Sequence, residues 1–435
     1  MSLGTVALVG SPSSGKSTIF NRIVGERKSI VEPTPGITRD RLYAKANWLT
    51  KDFTIIDTGG IQIKNAPFQE EVRAQVDIAI EQADLIVFVT DAKKGLSGDD
   101  RFIAKLLFKS SKPVILVANK VDNISEIGTS SEFYSLGLGD PLPVSGAHGI
   151  GIGDLLDQII KKLPEKEIPD YGDAITFSFI GRPNVGKSSL TNAVLGEDRV
   201  IVSDVSGTTR DSIDTPFKKD DKNYVVIDTA GLVKKGKIYE AVDKYAALRA
   251  ISAMERSEVC CLLIDGSTGI LEQDKHVVGY AMQTHKAIVL VVSKWDLGKE
   301  KKFDKNRFKE DIRNQFKFLD YAPILFVSSK SGEGVQDVLP AIEKAYEGYN
   351  RRIPTNVLNK IINDAQEMNP TPDFNHGRLK ILFSNQVAIK PPTFVFFCNN
   401  PKNAHFSYTR YLENCLRGSF DFEGSPIQMI YRERK

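Results

Sequence analysis

Short unbroken apolar runs mark most of this chain. "ADLIVFVTDA", "KPVILVANK" and "PLPVSG" come in that order, and "SEVCCLLIDG", "KAIVLVVSK" and "APILFVSS" follow in the same order further on. Helix-spaced stretches separate them. Runs without polar alternation read as parallel strands buried on both faces, so each set predicts a doubly wound α/β domain. The pattern changes near residue 349. There Val357, Leu358, Ile361, Ile362 and Ala365 share one helical face, "RLKILF", "TFVFFCN" and "IQMIY" read as strands, and Tyr408, Tyr411, Leu412, Cys415 and Leu416 repeat at helical spacing. That α-β-β-α-β order predicts a small α+β domain. The expected organisation is a first domain over 1–163, a Pro-containing acidic linker over 164–173, a second domain over 174–348 and a tail domain over 349–435.

The two α/β sets are a repeat with a measurable offset. Lys187 lies 171 positions after Lys16, and the same 171 separates Thr38 ("GITRD") from Thr209 ("GTTRD") and Asp57 ("IIDTGG") from Asp228 ("VIDTAG"). The offset grows to 174 at "NKVD" and "SKWD" and to 183 at "VSGAHGIG" and "VSSKSGEG". The extra residues are expected in loops of the second unit, chiefly the lysine-rich stretch 298–309.

Composition narrows the class. With 41% hydrophobic and 26% charged residues among 435, the chain is that of an ordinary globular protein, and about 150 residues per domain gives roughly three domains. No apolar run is long enough to span a membrane and no secretory leader is visible, so a cytoplasmic protein without a membrane partner is expected. Cys260, Cys261, Cys398 and Cys415 lack metal-ligand spacing and read as buried reduced thiols. The net charge of +3 is uneven: residues 350–435 carry 12 Lys and Arg against 7 Asp and Glu, so this region is at +5 and the remainder near −2. A modestly basic tail suits a nucleic-acid partner.

The chemistry sits at the strand ends. G-x-x-x-x-G-K-[ST] after a strand wraps backbone N–H groups around a phosphate, places a Lys on the β/γ oxygens and a hydroxyl on Mg²⁺. It occurs as Gly10-Ser11-Pro12-Ser13-Ser14-Gly15-Lys16-Ser17-Thr18 and as Gly181-Arg182-Pro183-Asn184-Val185-Gly186-Lys187-Ser188-Ser189. One match arises by accident in roughly 1 to 2% of chains this long; two in matched context do not. Asp57-Thr58-Gly59-Gly60 and Asp228-Thr229-Ala230-Gly231 are D-x-x-G motifs. Their Asp is expected to hold Mg²⁺ through water, Gly60 and Gly231 to donate an N–H to a γ-phosphate, and Thr38 and Thr209 to add a hydroxyl to the ion. The Mg²⁺ set is therefore Ser17, Thr38 and Asp57, and again Ser188, Thr209 and Asp228.

The base is selected by Asn119-Lys120-Val121-Asp122 and Ser293-Lys294-Trp295-Asp296. A carboxylate accepts from guanine N1–H and its N2 amino group, donors that adenine lacks, so both sites should bind GTP and GDP. Lys120 and Lys294 are expected along the base and the phosphate loop. Ser145-Gly146-Ala147 and Ser328-Ser329-Lys330 should close on guanine O6. Ser293, standing where the first unit has Asn119, should brace the pocket only in part. After D-x-x-G, where many switch GTPases keep a water-orienting Gln, stand Ile61 and Leu232, so intrinsic hydrolysis should be slow. His148 reads as a solvated or loop-bracing residue.

Tandem units with "GITRD" and "GTTRD" loops, followed by a tail carrying "KPPTFVFFCNNP" and "FSYTRYLENCLRGSFDFEGSPI", resemble the Der (EngA) family of bacterial ribosome-biogenesis GTPases over essentially the whole chain. The resemblance implies two tandem P-loop GTPase domains with mostly parallel sheets, a KH-like C-terminal domain, and a monomeric GTPase that acts in maturation of the large ribosomal subunit and touches ribosomal RNA, with no DNA partner. The Gly-x-x-Gly loop of ordinary KH domains is absent. Several GTPases of similar build use potassium, held by an Asn at the loop position of Asn184, which makes Asn184 a potassium ligand by resemblance; Ser13 takes that place in the first unit. The competing classes are a tRNA-modification GTPase, which carries one G domain and ends in a Cys-containing motif where this chain reads "YRERK", and a membrane remodeller, for which no strongly amphipathic basic segment exists.

Overall fold

The computed structural model describes residues 2–25, 43–60, 68–164, 171–196, 214–227 and 243–434. Two compact units divide the chain: one is built around a first sheet, the other joins a second sheet to the C-terminal domain.

The first unit runs β1 (Ser2–Val9), α1 (Lys16–Gly25), β2 (Tyr43–Trp48), β3 (Lys51–Asp57), α2 (Phe68–Gln82), β4 (Leu85–Asp91), α3 (Gly98–Phe108), β5 (Val114–Asn119), β6 (Leu142–Pro143) and α4 (Ile152–Lys162). Its strand order is β2-β3-β1-β4-β5-β6, parallel except for the β2–β3 pair. Every residue of β4 is buried, as a strand covered on both faces must be.

The second sheet repeats this. It runs β7 (Ile175–Ile180), α5 (Lys187–Leu195), β8 (Thr215–Lys219), β9 (Lys222–Val226), α6 (Asp243–Arg256), β10 (Val259–Asp265), α7 (Glu272–Thr284), β11 (Ala287–Ser293), α8 (Trp295–Glu300), α9 (Lys305–Gln315), β12 (Ile324–Phe326) and α10 (Val338–Tyr349), in the order β8-β9-β7-β10-β11-β12. In both sheets the strand before the phosphate loop lies where the strand order reverses, the place at which open α/β sheets bind ligands. One expectation fails here: the lysine-rich stretch 298–309 is mostly helix, not loop. Asp304 starts α9 by accepting from Arg307 N at 2.8 Å, and Phe308 and Ile312, one turn apart, bury the helix against the domain.

The C-terminal domain comprises α11 (Thr355–Met368), the hairpin β13 (Asp373–Phe374) and β14 (Gly377–Arg378), β15 (Ile381–Ala388), β16 (Thr393–Cys398), α12 (Phe406–Ser419) and β17 (Gln428–Glu433). β15 pairs antiparallel and β17 parallel to β16. Leu358, Ile362, Ala365, Phe394, Phe396, Tyr408, Leu412 and Leu416 form its core. Val357, expected on the buried face of α11, is exposed, and Cys415 is only half-buried. The domain is tied to the second sheet through backbone: Gly424 N donates to Tyr321 O at 2.8 Å, and Ile288 N, beyond the β11–β12 pairing, donates to Gly424 O at 2.7 Å.

Candidate functional site

Both phosphate loops are set by backbone conformation. Ser13 and Asn184 take φ of 62° and 61°, and Gly15 and Gly186 take 93° and 103°, so the two loops turn alike and bring the first N–H groups of α1 and α5 into the loop mouth. Gly10 has no room for a side chain, since a methyl there would lie 2.1 Å from Val89 O; at Gly181 it would lie 2.9 Å from Leu263 O. Each Lys closes its own loop. Lys16 Nζ donates to Gly10 O (2.8 Å) and Ser11 O (2.9 Å), and Lys187 Nζ to Gly181 O (2.7 Å) and Arg182 O (2.8 Å). Burial lowers the Lys16 pKa to about 8, against the opposing pull of Asp57 and Asp100. A phosphate would relieve that burial by pairing with the ammonium.

Asp57 ends β3 and accepts from Gly59 N at 2.9 Å, while Thr58 Oγ1 anchors the turn on Leu8 O at 2.6 Å. A methyl on Gly59 would lie 3.0 Å from Lys16 Cε, 3.1 Å from Asp57 Oδ1 and 3.7 Å from Ser17 Oγ, so these three groups face one small volume. A carboxylate and an exposed hydroxyl beside a phosphate cradle are hard oxygen donors that fit Mg²⁺. Gly60 closes the short turn after β3. Thr38, Ile61, Thr209, Asp228, Thr229, Ala230, Gly231 and Leu232 lie outside the described residues.

The base pockets share a frame but not its bracing. Lys120 and Lys294 both take a left-handed φ (71° and 52°) at the end of β5 and β11. Asn119 spans two loops, donating to Ser14 O at 2.8 Å and accepting from Gly146 N at 3.0 Å. Ser293 reaches only the first of these, donating to Val185 O at 2.6 Å and approaching Ile264 O at 3.2 Å. Lys294 Nζ binds the phosphate-loop carbonyl of Asn184 (2.6 Å) and Asp265 (2.8 Å), whereas Lys120 Nζ binds Asp91 (2.6 Å). Ser145 Oγ donates to Asp122 Oδ1 at 2.6 Å and Ser328 Oγ to Asp296 Oδ1 at 2.8 Å, which fixes each carboxylate. Trp295 is buried against Phe308 and Phe326, whereas Ser329 is half-buried and Lys330 exposed. Arg22 on α1 steadies the third loop by donating to Gly146 O (3.1 Å) and Ala147 O. His148 stands 3.9 Å from Asp122 Oδ1, a carboxylate that sequence spacing alone did not place beside it.

Asp91 and Asp265, the last residues of β4 and β10, were not singled out by motif. Both anchor the pocket lysines, and the clue was their common offset of 174, the same as that of the base motifs. Burial pushes the Asp265 carboxyl up, but bonds from Lys294 and Ser267 outweigh it and leave it below its ordinary value. No motif marks Lys93 either; its ammonium, and after it the Ser145 hydroxyl, hold the Asp122 carboxyl below the usual range.

Among the described residues no helix is long and apolar enough to cross a membrane. A family model described as "50S ribosome-binding GTPase" matches residues 5–120 and again 176–294, and one described as "KH-domain-like of EngA bacterial GTPase enzymes, C-terminal" matches 352–432. The chain is 54% identical over 435 residues to the GTPase Der of Halalkalibacterium halodurans and 55% identical over 435 residues to that of Macrococcus caseolyticus, covering 100% of both chains in each case. It is 55% identical to a GTPase Der of Staphylococcus epidermidis over 99% of each.

Proposed function

Because the chain belongs to the Der family of GTPases, we propose that it is a cytoplasmic, monomeric assembly factor that hydrolyses GTP in both crevices and uses the two switches to control its association with the large ribosomal subunit and its RNA. The observation that carries this reading is the duplication itself: two crevices with the same strand order, the same left-handed loop positions and a serine-fixed carboxylate, one of them tied by backbone to a KH-like domain. The relatives' name supports the GTPase, and the family description "50S ribosome-binding" supports the partner.

In this reading the N–H groups at the starts of α1 and α5 hold the β-phosphate, and Lys16 and Lys187 leave their own loop carbonyls for the β/γ oxygens. Ser17, Thr38 and Asp57, and Ser188, Thr209 and Asp228, would hold Mg²⁺, which would neutralise charge between the phosphates. Gly60 and Gly231 read the γ-phosphate through their N–H, so GTP and GDP differ at these two positions. Asp122 and Asp296 read guanine. Asn184 would supply an amide oxygen for potassium in the second crevice.

The test is co-sedimentation of the full chain with purified 50S subunits under GDP, GTP and a non-hydrolysable GTP analogue, from about 50 to 300 mM salt. Association is expected to be strongest with the analogue and to weaken as salt rises, because phosphate contacts of the basic tail release counterions. Binding indifferent to both nucleotide and salt would remove the reading's support.

A further inference from the structure

The two base pockets differ at a position that lies outside every nucleotide-binding motif. Two residues past the strand-end aspartate, the first domain has Lys93 and the second Ser267. Lys93 Nζ donates to Asp122 Oδ2 at 2.5 Å, while Ser145 Oγ occupies Oδ1 at 2.6 Å. Both oxygens that guanine would use already carry a donor. Ser267 turns the other way, its Oγ donating to Asp265 Oδ1 at 2.6 Å, and among the described residues Asp296 makes no ion pair and accepts the Ser328 hydroxyl at 2.8 Å. The backbone is not the cause, because the N–H of Lys93 and of Ser267 bond their aspartates alike, at 3.0 and 2.9 Å. The difference lies in side chains, in Lys93 first and then in His148, which stands 3.9 Å from Asp122 Oδ1 where the second domain has Ser331.

We propose that Lys93 is a built-in competitor of guanine, an ammonium latch on Asp122 that the base must displace, so that the first domain binds guanine nucleotides more weakly than its pocket would otherwise allow. The proposal rests on reading the two crevices as guanine sites. Guanine offers neutral N–H donors to the same oxygens that the latch meets with a full positive charge. Lys93 is exposed, however, so water and salt screen the pair and its effect is a factor of a few rather than a block. Acting on the free protein, the latch leaves the pocket's selectivity for guanine intact.

The experiment is a titration of fluorescent GDP into full-length protein carrying Lys187→Ala, so that only the first crevice is read. Lys93→Ser should tighten binding roughly two- to fivefold at about 50 mM NaCl, with the gain closing at about 500 mM, while Lys93→Arg stays near the parent. In the Lys16→Ala protein, Ser267→Lys should weaken the second site by a similar factor, and Ser267→Ala, which loses only the bond to Asp265, should not. Unchanged or weaker binding by Lys93→Ser, or a gain that persists at high salt, overturns the latch. No GDP binding at the first site of the Lys187→Ala protein would instead overturn the reading of that crevice, and the latch with it.

Discussion

Asn119 joins the first phosphate loop to the first base loop; Ser293, at the matching place, touches the phosphate loop and stops there. The space confirms the difference. A methyl on Gly15 would lie 2.1 Å from Asn119 Nδ2, whereas one on Gly186 would lie 3.8 Å from Ser293 Oγ. Nearby the asymmetry reverses. In the second domain Arg182 lies 3.5 Å from the buried Asp274 and 3.8 Å from Asp265. In the first, Ser11 stands in its place; among the described residues the buried Asp100 and Asp274 each keep one carboxylate oxygen without a hydrogen-bond partner, so what Arg182 adds beside Asp274 is charge and not a hydrogen bond. The phosphate cradle is held by backbone and tolerates exchange of its side chains. The bracing around it is made of side chains and has been redistributed, towards the base in the first domain and around the phosphate loop in the second.

The largest effect that would break this comparison comes from the feature the two sites share. Asp122→Asn and Asp296→Asn should each lower GTP affinity at their own site by about a thousandfold and shift it towards xanthosine triphosphate, since a carboxamide presents a donor where guanine also presents one. Each is read by titration with the other site silenced through Lys16→Ala or Lys187→Ala. A site whose mutant keeps its GTP affinity is not a guanine site.

Much of this was legible because the sequence repeats. A constant offset of 171 exposed both cradles and 174 both base motifs, and unbroken apolar runs such as "DLIVFVTDA" gave the buried parallel strands. What was not legible depended on side chains meeting across the fold. Lys93 is 29 positions from Asp122 and His148 is 26, and no local pattern brings them together. The lysine-rich stretch 298–309 read as loop because its charges hide Phe308, which holds α9 down together with Ile312 just beyond the stretch. Val357 failed for the opposite reason: it lies at the edge of an apolar helical stripe whose centre, Leu358 and Ile362, takes all the available cover.

An intermediate effect would sharpen the contrast in bracing. Asn119→Ser removes the bond from Gly146 N and should weaken GDP binding at the first site roughly fivefold, the scale of one net hydrogen bond. Ser293→Asn has the room that Gly186 leaves and can reach both Val185 O and the backbone of Ser329, so the second site should tighten by a similar factor. Equilibrium titration of each singly silenced protein checks both. If Ser293→Asn leaves the second site unchanged, Ser293 is not what limits its bracing.

The smallest effect concerns the residue that differs at the turn of the loops. With Ile61 and Leu232 after D-x-x-G, neither site carries a water-orienting Gln, and charge developing between the β- and γ-phosphates calls for another cation. Asn184 is exposed in the loop and its carbonyl is held by Lys294 Nζ at 2.6 Å, which would leave the side-chain amide oxygen for a potassium ion. Asparagine also has a backbone reason to stand there, because φ is 61° and Asn tolerates the left-handed region better than most residues. Ser13 adopts 62° without an amide, so the turn alone does not demand one. Two substitutions separate the explanations. Asn184→Gly keeps the left-handed turn and removes the amide, and Asn184→Ser copies the first domain. If the amide holds potassium, GTP hydrolysis by the second domain should be about two- to threefold faster in KCl than in NaCl, both substitutions should abolish that ratio, and the first domain should show little of it. A potassium response that survives Asn184→Gly, or that is larger in the first domain, would leave asparagine at this position explained by its backbone alone.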